Sequence, residues 1–139
     1  MDTSFFSDLN WLHILVAAIA YFALGALWYS PLFGKQWVTY QGIDMNNPEA
    51  KKGAGAIMFY SFILMFLATT GLAILVNRLG LYEAISGIKL GVFTGLFFSA
   101  TAISVSYLYV KKPFGLHLID GLYHVLGQAV AALILCVWR

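Results

Sequence analysis

The sequence predicts an all-α integral membrane protein: four transmembrane helices in an antiparallel bundle, with a short interfacial helix in the first cytoplasmic loop. Three observations predict it. Of 139 residues, 61% are apolar and 10% charged, and the mean hydropathy is +0.83, whereas a soluble domain carries about 25% charged residues. The apolar residues gather into four windows, each long enough to cross a hydrocarbon core, which takes about 20 residues as a helix. The connections are short, so a single membrane domain, residues 1–139, is expected, with almost nothing left over for a soluble one.

The first window, 11–30, follows the leader "MDTSFFSDLN", which has two aspartates and no Lys or Arg. A secretory signal needs a basic leader, so this window is expected to stay as a span. In the connection that follows, Phe33, Trp37 and Tyr40 recur at near-helical spacing, predicting an amphipathic segment over about 33–41 lying in the interface. Next, "NNPE" reads as a helix start, with Asn47 as N-cap, Pro48 first in the helix and Glu49 near the positive end of its dipole. The second helix is therefore expected to begin before its apolar window, 54–77. The third and fourth windows are 88–110 and 116–138.

Basic residues in short loops stay cytoplasmic. Lys35, Lys51, Lys52, Lys111 and Lys112 lie on one side of this arrangement, against Arg78, Lys89 and Arg139 on the other, which places both termini outside. Tryptophan prefers the headgroup level, and Trp11, Trp28, Trp37 and Trp138 all fall at predicted span ends. The net charge is only +2, which argues against a nucleic-acid partner because phosphate binding needs a clustered basic face. The one cysteine, Cys136, excludes an intrachain disulfide and reads as a small buried hydrophobe.

Span three carries Gly87, Gly91, Gly95 and Ser99 at four-residue spacing, a nearly bare helix face along which another helix can approach closely. Four helices already need close mutual contacts, so a partner within the chain is expected, although a second copy would serve. Ala17, Tyr21 and Gly25 form a looser version on span one. The stretches "LWYSPLFG" (27–34) and "LYVKKPFG" (108–115) echo each other with three identities and their prolines out of register, a faint trace of a duplicated hairpin.

The segment "LGALWYSPLFGKQW", the four spans and the polar "HLIDGLYH" of the last one resemble an uncharacterised bacterial family of small four-helix membrane proteins, a domain of unknown function. Trp28, Tyr29, Ser30 and Pro31, followed by Phe33 and Gly34, are the most specific part of the likeness. The resemblance implies a bacterial inner-membrane protein and supplies no activity, substrate or catalytic residue.

The chemistry-bearing residues are in span four. At 100° per residue, His117, Asp120, His124 and Gln128 lie within about 80° of one another. An aspartate facing lipid at the bilayer centre costs about 2.5 to 3.5 kcal/mol, so this stripe must face protein or water. Hung from Trp138 at the surface on a 1.5 Å rise, Gln128 is about 15 Å deep, His124 about 21 Å and Asp120 about 27 Å, near the inner boundary. In a structural reading, Asp120 accepts from His117 or His124 on its own helix.

The best functional reading is a homo-oligomeric transport or permeation protein for an unspecified small solute or ion, because Asp and His beside Gln can line a wet path and His titrates near neutral pH. One four-helix bundle is thin-walled, hence the expected oligomer. A non-catalytic scaffold is the alternative, and a metal site at a subunit interface is the third. No cofactor is expected. His13 and His124 are separated along the membrane normal by about 18 Å on the same 1.5 Å rise, too far to share one haem. His13, two residues from Trp11, suits the outer interface. Asp120 and His124 alone are two ligands where structural zinc takes four. No catalytic residues emerge, since Ser99 and Ser104 lack a nearby base, so an enzyme is disfavoured.

Overall fold

The computed structural model describes residues 4–138, and among these it is helical with no strand. Asp2 and Arg139, used above for the leader and the charge asymmetry, lie outside the described residues. Four helices are long and apolar enough to span a membrane: Trp11–Leu32, Pro48–Leu79, Ala84–Tyr109 and Phe114–Val137.

Helix α1, Trp11–Leu27, opens on Asn10, whose side chain accepts from the backbone N–H groups of Leu12 and His13. It runs straight into a wider π-helical turn, Trp28–Leu32. Pro31 sits inside that turn, and since proline has no N–H to donate to the carbonyl four residues back, the helix widens there. Helix α2, Gly34–Gln41, follows at once and ends on Gly42 at φ 70°. A Cβ at position 34 would stand 2.7 Å from the Tyr29 carbonyl oxygen, so only glycine lets the chain turn this sharply.

The capping reading of "NNPE" is corrected in extent. Asn47 does accept from Glu49 N–H, but it opens a single 3₁₀ turn, Pro48–Lys51, after which Lys52 is extended and Gly53 left-handed at φ 74°. Helix α3, Ala54–Leu79, starts beyond that break and stops at Gly80, φ 62°.

Helix α4, Ala84–Thr94, a second π-helical turn, Gly95–Ala100, and helix α5, Thr101–Tyr109, form one continuous rod. Threonine hydroxyls bracket the wide turn: Thr94 Oγ1 donates to the Leu90 and Gly91 carbonyls, Thr101 Oγ1 to those of Phe97 and Phe98. Such back-bonds compete with the helical ladder and loosen it locally. Lys111, at φ 56°, and Pro113 then turn the chain into helix α6, Phe114–Val137. The two echoing stretches thus end differently, with Pro31 inside a helix and Pro113 ahead of one.

Helix α6 is the axis of the bundle. In its most apolar stretch 61% of residues are buried, against 17% for the third span, so the other helices pack around α6 and turn their far sides outward. Contacts fix the directions: His13 stacks on Trp138 while Tyr29 reaches Asp120, so α1 and α6 are antiparallel. Asn77 donates to the Asp8 carbonyl and Phe22 meets Phe62, so α1 and α3 are antiparallel too. The glycine ladder packs on α6 of the same chain. A Cβ at Gly87 would meet the Ala132 carbonyl at 2.7 Å, one at Gly91 would overlap the backbone of Gln128 and Ala129, and one at Gly95 would press on Val125 Cα. Backbones so close gain dispersion contacts that larger side chains would forbid.

Trp28 departs from expectation. Its ring is turned into the bundle and not out to the lipid as a belt residue's is: it is 7% exposed, and its Nε1 donates to the Ile119 carbonyl at 2.9 Å. An indole N–H inside a bundle needs an acceptor, and the wide turn supplies the angle to reach one. Trp11 and Trp138 remain exposed.

Candidate functional site

Asp120 lies one and a half turns into α6 and is 6% exposed. Its carboxylate is held from two other helices. Tyr29, in the wide turn after α1, donates to Oδ1 at 2.5 Å, and Tyr107, near the end of α5, donates to Oδ2. Among the described residues Asp120 forms no ion pair, so two phenols do the work of a cation. Hydrogen bonds to a charged acceptor are the strong ones, and a buried carboxylate without them would be costly.

One turn further, His124 Nδ1 and the Tyr21 hydroxyl share a hydrogen bond, and Tyr21 is 1% exposed. Tyr123 fills the space between the two sites. Its hydroxyl donates to the Tyr21 carbonyl at 2.8 Å, and its ring lies 5.2 Å from that of Tyr29. Another turn on, Gln128 Nε2 donates to Ser99 Oγ at 2.5 Å, so the last rung of the glycine ladder is a hydrogen-bond acceptor as well as a small residue. Among the described residues no buried side-chain nitrogen or oxygen lacks a partner.

The stripe read from the sequence is thus split between partners. Asp120, His124 and Gln128 face inward to Tyr29 and Tyr107, to Tyr21 and to Ser99. His117 does not join them: it is half-buried, its ring edge-on to Tyr107 at 5.5 Å and near Phe114. Pairing of Asp120 with His117 or His124 on its own helix is replaced by bonds across helices, because phenols on α1 and α5 reach both carboxylate oxygens. His13 sits at the opposite end, bonded to the Asn10 side chain and stacked on Trp138. No three of His, Cys, Asp and Glu gather in a metal-sized group among the described residues.

The tyrosines are what sequence reasoning missed. Depth was the available signal: Tyr29 ends span one and Tyr107 ends span three on the side where Asp120 starts span four. The Trp28–Gly34 turn now has a physical role. Trp28 and Tyr29 bond to Ile119 and Asp120, neighbours on α6, and Phe33 packs on the Trp28 ring at 4.6 Å. The two stretches that carried the resemblance, 91 residues apart, therefore meet. Ser30 and Pro31 are exposed and make none of these bonds.

Residues 12–136 match the family described as "Protein of unknown function (DUF1761)". The chain belongs to the DUF1761 family. The match spans both wide turns and every residue of the tyrosine cluster, so this site lies wholly within the DUF1761 region. No curated protein and no solved structure matches the chain.

Proposed function

We propose that this DUF1761 protein moves protons, or a small solute coupled to them, across the bacterial inner membrane as a homo-oligomer. Asp120 and His124 are the principal residues and Gln128 their hydrogen-bonding neighbour. The observation that carries this reading is that each wide turn presents a side chain to the same face of α6: Tyr29 to Asp120 and Ser99 to Gln128. Such turns are rare and are frequently found at functional sites. An ionisable residue inside a spanning segment supports the same reading, since it is costly to retain there for packing alone.

The chemistry follows from hydrogen-bond capacity. A carboxylate accepts from both phenols; a carboxylic acid must donate its own proton. Protonation of Asp120 therefore requires Tyr29 or Tyr107 to turn from donor to acceptor, or to let go. Those hydroxyls belong to different helices, so one proton biases the position of α5 against the turn after α1, a two-state element of the kind transport needs.

A scaffold role is the second reading, favoured by the closed hydrogen bonding of the cluster. Reconstitution in liposomes with an internal pH-sensitive dye separates the two. Under the transport reading wild-type protein collapses an imposed pH gradient, and Asp120→Asn, nearly isosteric, slows this at least about tenfold, as loss of a proton-transfer group does, while helix content and melting stay close to wild type. Wild-type liposomes as tight as empty ones, tested with a panel of co-solutes, would overturn it.

A further inference from the structure

The third span and α6 do not hug along their full length. Around Gly95 and Val125 they press together, whereas α5 touches α6 far less. An open-sided groove of about 490 Å³ runs down this seam on the flank of the bundle. Leu96, Ser104 and Leu108 line it from the third span and Leu118 and Leu122 from α6; at the end nearest the α5–α6 turn stand Lys112, Phe114 and His117. Lys112 is half-buried there rather than free in solvent. No acidic residue lines the groove, and the carboxylate of Asp120 is turned away into the tyrosine cluster.

We infer that this groove holds one acyl chain of an anionic phospholipid, with the lipid phosphate at Lys112. From Leu96 to Tyr109, the last residue of α5, is about 20 Å on a helical rise, and Lys112 follows in the turn just beyond. One leaflet offers about 15 Å of hydrocarbon and a headgroup layer of roughly 6 Å, so groove and lipid match in length. They also match in polarity: apolar walls meet the chain, and Lys112, with His117 on the same lining, stands at the end where the phosphate lies. Basic pockets between spanning helices select anionic headgroups for this reason. The inference is independent of the proton reading, since neither Asp120 nor His124 lines the groove.

The test uses the full chain in phosphatidylcholine nanodiscs doped with phosphatidylglycerol or phosphatidylcholine bearing a photoactivatable diazirine in the acyl chain, followed by peptide mapping. Adducts are expected at 96–112 and 114–125, with the anionic probe favoured about fivefold, the preference one lysine confers near a lipid surface. Lys112→Gln, a change at a partly exposed position, should remove the preference, and Ser104→Phe should reduce labelling by both probes by filling the groove. Equal yields from the two probes, adducts spread evenly around the bundle, or a Lys112→Gln protein that labels like wild type would overturn the assignment. So would ready disulfide dimers of Leu118→Cys in a Cys136→Ser background, which would make a second copy of the chain the occupant.

Discussion

Two hydroxyls, those of Tyr29 and Tyr107, hold the carboxylate of Asp120 inside the bundle. Each Tyr→Phe change leaves one carboxylate oxygen without its donor, so each should lower unfolding free energy by about 2 kcal/mol, the range for bonds to charged groups, as read from denaturation in detergent. In the Asp120→Asn background the same changes should cost less, because the acceptor is neutral, and the double-mutant difference reports the coupling. That Asp120 faces inward was legible from the price of exposing it to lipid. Its partners were not. Span one is apolar nearly all round, and a helix without a polar face does not reveal which way Tyr21 or Tyr29 points. Trp28 misled for the same reason: its position near the end of a span suits a belt residue, and only the wide turn shows that its ring is drawn inward.

Among the elements, the third span shows most directly how small residues set distance. Gly91→Val would drive side-chain atoms into the α6 backbone and should destabilise by about 3 kcal/mol, the upper range for overpacking. Gly71→Ala, where an added Cβ meets nothing within 4 Å, should instead stabilise α3 by about 0.5 to 1 kcal/mol. Both are checked by the same unfolding measurement. The ladder was readable because four-residue spacing survives any rotation of the helix. The wide turns were not: Pro31 sits in the first and threonine back-bonds flank the second, and neither feature is a hydrophobic pattern. Inserting one alanine after Ala102, within the ordinary helix of α5, should rotate the rest of α5 by about 100°, carrying Tyr107 away from Asp120. Circular dichroism should then be unchanged while, under the transport proposal, flux through the reconstituted protein is lost.

At the scale of the whole molecule, four antiparallel helices return the chain to the side on which it started. Single cysteines in a Cys136→Ser background should report this: Ser7→Cys and Met45→Cys are exposed positions on opposite ends and should react with an impermeant maleimide from opposite faces of the membrane, Met45→Cys from the cytoplasm if lysine-rich loops stay inside. The number of spans was legible because hydrophobic length is a local property. The centrality of α6 was not. It is the window with the most polar stripe, yet it is the best buried helix, since a helix that carries ionisable groups must be surrounded by neighbours able to answer them.

The bonds from Trp28 and Tyr29 to Ile119 and Asp120 also constrain how the protein is made. During synthesis the first segment enters the bilayer long before the last one leaves the ribosome, and in that interval its indole and phenol have no mate on α6. A nascent chain halted before Phe114 carries an unanswered donor pair in a hydrophobic medium, so the final segment works as a latch, and truncations lacking it should be recognised and degraded by membrane quality control.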